Sequence, residues 1–188
     1  MAFGFTRLEI PDLVLVETKH FEDTRGLFME TYKQSDFRAN GLTGDFVQGA
    51  YSSSAEGVLR GLHYQKPPRA QAKLVTVVHG EVFDVAVDIR RGSPTYGRWI
   101  GMHLSAGNHR LLYIPVGFAH GFCVLGQEAD LLYWMSEEFV SELDRGIVWN
   151  DPDLAIRWPV SNPVLSARDA RLPRLRDTEH DFVYRAAP

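Results

Sequence analysis

Short β-rich runs separated by turn residues, with almost no helical pattern between them, constrain this chain more than any other feature. Residues 73–78, 82–89 and 100–104 are dense in Val and Ile and read as strands. His79-Gly80-Glu81 between the first two reads as a hairpin turn. Further strands are expected at 13–18, 46–52, 58–64, 110–114, 121–125 and 129–135, and short helices only at 35–40 and 136–144. Strands at this spacing imply an all-β sandwich or barrel, as in a jelly roll. From Asp151 onward the chain is rich in Pro, Arg and Asp and reads as loops laid over the barrel, so residues 1–188 are taken as one domain.

Composition narrows the partners. A formal net charge of −4 gives no broad basic footprint for DNA or RNA, so a nucleic-acid partner is not expected. Cys123 is the only cysteine; it lies in the apolar run Gly121-Phe122-Cys123-Val124-Leu125 and reads as a buried thiol that forms no intrachain disulfide. No segment reaches the roughly 20 apolar residues of a membrane helix, and a cytoplasmic setting is expected.

Chemistry is concentrated in Gly57-Val58-Leu59-Arg60-Gly61-Leu62-His63-Tyr64-Gln65, in Lys73, and in Pro115-Val116-Gly117-Phe118-Ala119-His120-Gly121-Phe122. These place a guanidinium, an imidazole and an ammonium on expected strands, where rigid backbone can aim them. Lys73 shares a strand face with Val75 and Val77, which points it into the barrel, and an inward lysine is costly unless it has a partner or a task. A metal-binding barrel of the cupin type is expected to carry His-x-His with a nearby Glu, whereas His63-Tyr64 is followed by Gln65. The site therefore reads as metal-free acid–base chemistry, with no metal ligand and no cofactor expected.

The same residues, together with Asp23–Glu30 (Asp-Thr-Arg-Gly-Leu-Phe-Met-Glu), Gln71-Ala72-Lys73, the 84–90 strand, Gly92-Ser93-Pro94-Thr95, Gly146-Ile147-Val148-Trp149 and Leu165-Ser166-Ala167-Arg168-Asp169, resemble the dTDP-4-dehydrorhamnose 3,5-epimerases. The resemblance covers most of the chain in the expected order and implies a cupin-like jelly-roll barrel acting on a dTDP-sugar, dTDP-4-keto-6-deoxyglucose. The C4 ketone of that sugar acidifies the protons on C3 and C5, so inversion needs a base, an enolate stabiliser and an acid on the opposite face.

The resemblance assigns His63 as base, since an imidazole titrates near neutral pH, and Asp169 as the carboxylate that orients it. It gives Lys73 the charge developing on the C4 oxygen, with Asp84 as its resting partner, and makes Tyr133 the proton donor to C5. Without the resemblance, 131–134 reads as a core strand. Arg60 and Arg25 suit phosphate, because guanidinium pairs bidentately with its oxygens. Arg60 and His63 are three positions apart, which in a regular strand puts them on opposite faces unless Gly61 forms a bulge. The stretch holding Arg25, Phe28 and Glu30 is expected to reach a neighbouring subunit's site in a homodimer; the plainer reading is charges on a loop and strand edge. His120 matches a residue near the sugar and Arg168 a cation near the nucleotide. His20, His79, His103, His109 and His180 read as structural or solvent-exposed.

Three departures bear on substrate identity. Gln48-Gly49-Ala50 stands where the family commonly has Gln-x-Asn, Phe139 replaces a base-stacking tyrosine, and Asp144 stands where Glu is frequent. The alternatives within enzymes are a 3-only epimerase or a 3,4-ketoisomerase. Outside that class stand a metal-dependent oxygenase and a non-catalytic nucleotide-sugar-binding module.

Overall fold

The protein is seen here as a computed structural model that describes residues 2–42 and 44–185. Alternating side chains and tight turns divide the described chain into two antiparallel sheets. The six-stranded sheet runs β1 (Phe3–Arg7), β2 (Val14–Thr18), β10 (Arg110–Ile114), β7 (Lys73–His79), β12 (Glu128–Met135), β5 (Gln48–Ala55). The five-stranded sheet runs β13 (Asp144–Gly146), β6 (Leu59–Gln65), β11 (Phe118–Val124), β8 (Glu81–Asp88), β9 (Trp99–Ser105). A separate ribbon pairs β3 (His20–Asp23) with β4 (Gly26–Met29), and the α-helix is α1 (Gln34–Ala39). The two sheets close over a common interior as a cupin-like jelly roll.

Strand alternation explains where the core sits. Val75 and Val77 of β7, Val82 and Ala86 of β8, Phe118 and Phe122 of β11, and Leu131 of β12 meet between the sheets. Leu74, Val14 and Leu111 face the other way and are covered by Phe37 of α1. Val85, Val87 and Leu62 also face outward, under Leu154, Leu175 and Phe182 of the C-terminal segment. Each such Val, Leu or Phe side chain contributes about 1.5–3 kcal/mol on full burial. The C-terminal loops are thus a lid on the outer face of the five-stranded sheet, as expected.

Two expectations are corrected. Residues 79–81 do not close a hairpin, because β7 and β8 lie in different sheets. Gly80, at φ 71°, is a corner from one sheet to the other, packed so closely that an added Cβ would lie 2.0 Å from the Glu128 carbonyl oxygen. Nor is 136–144 a helix; only the 3₁₀ turn Ser141–Leu143 is helical. The backbone groups a helix would pair internally are taken by glutamine side chains: Phe139 N–H donates to Gln48 (2.6 Å), Val140 N–H to Gln65 (2.8 Å), and the Glu137 and Glu138 carbonyls accept from Gln71 and Gln65. Strands β1, β3, β4 and β13 carry too few branched apolar residues to be read from sequence.

The bulge expected at Gly61 is present. His63 pairs with His120 and Arg60 with Phe122, so three steps on β6 match two on β11. Gly61, at φ 138°, lies against Gly121; a Cβ on Gly61 would come within 2.6 Å of the Gly121 Cα. That contact requires glycine, and the extra residue returns Arg60 and His63 to one face.

Candidate active site

One end of the barrel interior is polar where the rest is apolar. Lys73 opens β7 and Tyr133 and Met135 lie near the end of β12, whose register sets Met135 opposite Lys73 and Ala50 opposite Tyr133. His63, Lys73 and Tyr133 line one cavity of about 290 Å³, together with Gln48, Ala50 and Asp144, and Phe139 stands at its wall more than half exposed. A second hollow of about 370 Å³ shares His63 and is lined by Arg60, Arg168 and Asp169.

His63 Nε2 lies 2.7 Å from Asp169 Oδ1. Burial works against the Asp169 charge, but the bond to His63, the Gly61 N–H (3.3 Å) and nearby Arg168 hold its carboxyl below the usual range. An ionised Asp169 therefore takes the N–H of the imidazole and leaves the other ring nitrogen free to accept a proton. Asp169 is itself fixed by its backbone N–H bond to Ser166 Oγ (3.0 Å).

Burial pushes the Lys73 ammonium down to about 8, with Asp144 and then Asp84 acting in the opposite direction. Its ammonium makes a long hydrogen bond, 3.5 Å, to the His63 carbonyl. The expected Lys73–Asp84 pair is corrected here: both oxygens of Asp84 contact His120 Nε2, at 3.0 and 2.8 Å, because β8 and β11 are hydrogen-bonded neighbours that bring the two side chains together. Asp84 reaches Lys73 through its field alone, which leaves the ammonium free for an incoming oxygen.

Burial raises the Tyr133 phenol, as does Asp84, while a 3.0 Å bond to Ser52 Oγ and Arg60 act the other way. The phenol is held protonated. Ser52 is a site residue that sequence reasoning missed. It lies in Ser52-Ser53-Ser54, and only the β5–β12 register shows which serine meets Tyr133. Arg60 donates to Ser54 Oγ (3.0 Å) and the Ser53 carbonyl (3.2 Å), and Arg168 pairs with Asp144 at 2.7 Å. Both guanidiniums rim the hollow beside His63.

Arg25, Phe28 and Glu30 are not brought to this cavity. Arg25 is bound to Asp23 on the β3–β4 ribbon, and Phe28 is 66% exposed there. Among the other histidines, His180 is buried against Tyr96 (3.3 Å), while His79 and His103 are exposed beside Glu128 and Glu81. Cys123 is fully buried, and burial pushes its thiol up to about 11. Gln65 points into the protein, where its carboxamide binds backbone groups. Among the described residues no three His, Cys, Asp or Glu side chains converge as a metal-ligand set, and no helix is long and apolar enough to cross a membrane.

Comparison with known proteins gives this geometry a context. The sequence model of the dTDP-4-dehydrorhamnose 3,5-epimerase family matches residues 7–177. Proteins of that name from Pseudomonas aeruginosa and Shigella flexneri are 52% and 51% identical to the chain, each over 93% of it and 97% of the relative. The crystal structure of a dTDP-6-deoxy-D-glucose-3,5-epimerase from Legionella pneumophila, in complex with dTDP-4-keto-L-rhamnose, superposes with a TM-score of 0.94 at 44% identity. That match covers 98% of this chain and all of the other.

Proposed function

The chain belongs to the dTDP-4-dehydrorhamnose 3,5-epimerase family, and from that premise we propose how its side chains carry out the reaction. The protein is an isomerase that inverts C3 and C5 of dTDP-4-keto-6-deoxyglucose to give dTDP-4-keto-L-rhamnose. His63 takes the proton from each carbon in turn, on the nitrogen that Asp169 leaves free. The electron pair moves onto the C4 oxygen, where the Lys73 ammonium meets it; one such preorganised donor is typically worth about 3–4 kcal/mol in the transition state. Tyr133 gives its phenolic proton to C5 from the opposite face, with Ser52 holding the hydroxyl, while solvent returns a proton to C3 and takes up those that His63 has collected. These steps are proton transfers next to a ketone and require no change of oxidation state.

The observation that carries this reading is the 2.7 Å His63–Asp169 contact on the wall of the cavity that Lys73 and Tyr133 also line. The hollow sharing His63 suits the diphosphate, with Arg60 and Arg168 as its cations. Phe139 suits the planar base, which stacks on an aromatic face, and Gln48 and Asp144 complete the wall on that side. His120, paired to Asp84 and registered opposite His63, borders the sugar.

The exposed Arg25, Phe28 and Glu30 support a homodimer in which the ribbon enters the neighbouring site, since they do nothing in their own. We further read residues 1–188 as one catalytic domain, since the segment after β13 packs on the sheet that carries His63. The single buried thiol is compatible with a cytoplasmic setting.

Incubation with dTDP-4-keto-6-deoxyglucose in deuterated water tests the reading. Deuterium at both C3 and C5 with the doubly inverted product is expected. Label at C3 alone would replace it with the 3-only activity, and label at neither carbon with a binding module.

A further inference from the structure

Gln65 stands two residues beyond the base on β6, at the place where a metal-binding barrel would carry a second histidine, and the reaction as derived gives it no task. It is nonetheless 3% exposed and heavily engaged. Its carboxamide nitrogen donates to the Arg69 carbonyl and to the Glu138 carbonyl (3.0 Å), and its oxygen accepts from the Val140 N–H (2.8 Å). Both N–H donors of the amide are thereby used, so none remains for a sugar or a metal-bound water.

The partners are informative, because Glu138 and Val140 flank Phe139. On either side, Gln71 donates to the Glu137 carbonyl (2.8 Å) and Gln48 accepts from the Phe139 N–H (2.6 Å). The segment is anchored at its ends, by Ser136 N–H to the Ala72 carbonyl (3.0 Å) and by Leu143 N–H to the Val140 carbonyl (3.0 Å), and between those anchors the glutamine amides bind its backbone. The ring they carry stands 54% exposed at the cavity that holds His63 and Lys73.

We propose that Gln65 is a positioning residue for nucleotide recognition: by clamping both neighbours of Phe139 it fixes the ring at the rim of the cavity, on the same strand that carries the base. This rests on the reading that Phe139 stacks on the base of the dTDP-sugar. The amide thereby ties the stacking platform to the strand that aims His63. An aromatic ring already held in place loses little freedom on binding, and affinity follows from that preorganisation.

The test is a double-mutant cycle between Gln65→Met and Phe139→Ala, read by steady-state kinetics on dTDP-4-keto-6-deoxyglucose and by calorimetric binding of dTDP. Gln65→Met should raise KM and the dTDP Kd about fivefold to tenfold, with kcat within about threefold of wild type. In the Phe139→Ala background the same change should weaken binding by less than about twofold. An undiminished effect in that background, or a loss of kcat at unchanged KM, overturns the proposal while leaving stacking intact. Unchanged dTDP affinity in Phe139→Ala alone overturns the stacking reading itself. Should Gln65→Met fail to fold, Gln65→Glu, which keeps an acceptor for the Val140 N–H but loses amide donors to the Arg69 and Glu138 carbonyls, carries the same cycle with the same outcomes.

Discussion

His63 and Asp169 are 106 residues apart in sequence and 2.7 Å apart in space, and the bond between them decides which imidazole nitrogen is basic. His63→Ala should remove solvent exchange at both C3 and C5, lowering the rate by about 10²–10⁴. Asp169→Asn should slow the reaction less, about tenfold to hundredfold, because it loses a charged hydrogen bond but keeps the base. Exchange measured by NMR checks both; substantial exchange in His63→Ala would remove it from its role.

The role proposed for Lys73 needs a cation, and the place it occupies disfavours one. With its ammonium at about 8, turnover should fall as the pH rises through that value, and Asp144→Asn should move the fall to lower pH, since Asp144 leads the charges that hold the proton. Because the unfolded chain keeps this proton up to about 10.5, the group makes stability rise with pH between about 8 and 10.5. Lys73→Met should abolish that rise, lift Tm by roughly 2–4 °C, and lower activity by about 10²–10³. Denaturation at two pH values, with pH–rate profiles, measures each part; a Tm lowered by the substitution contradicts it.

On the role proposed for it, Tyr133 separates the two inversions. In Tyr133→Phe, deuterium should still enter C3, but the product inverted at C5 should not accumulate. Ser52→Ala should act in the same direction more weakly, since it frees the hydroxyl without deleting it. Normal yield of the doubly inverted sugar from Tyr133→Phe would leave that ring with a packing role alone.

Ala50 faces Tyr133 across the β5–β12 pair and lines the cavity. Ala50→Asn should lower KM for dTDP-4-keto-6-deoxyglucose by about twofold to tenfold with little change in kcat, by supplying an amide to the bound substrate. A fall in kcat would instead mean that the small side chain makes room for a differently substituted sugar.

The β3–β4 ribbon permits a complementation assay. If Arg25 serves the partner's site, Arg25→Ala and His63→Ala are each impaired, yet mixing them after reversible dissociation should restore about a quarter of wild-type turnover, because randomly paired symmetric dimers then include sites free of both lesions. No recovery on mixing, with exchange of subunits verified, would place Arg25 outside the shared site.

Much of this protein was legible in one dimension. Near-continuous runs of Val, Ile and Leu mark strands wherever both faces of a sheet are covered, so β7, β8, β9 and β12 could be read directly, and strand alternation gave the inward aim of Lys73. Glycine at 61 announced a bulge, since only it tolerates that backbone so near Gly121. The roles proposed for His63, Asp169 and Tyr133 came from ordered motifs of the family, not from local pattern. Long-range pairing was beyond local pattern altogether. That Gly80 turns a corner between sheets, that Asp84 meets His120 instead of Lys73, that Ser52 and not its neighbours meets Tyr133, and that three glutamines unmake a helix around Phe139 all depend on which strands become neighbours. A hydrogen bond is satisfied by whatever partner the closed barrel brings within about 3 Å. The sequence by itself determined strands, faces and chemical inventory; closure of the two sheets decided the partners, because strand adjacency is a property of the whole barrel and not of any segment.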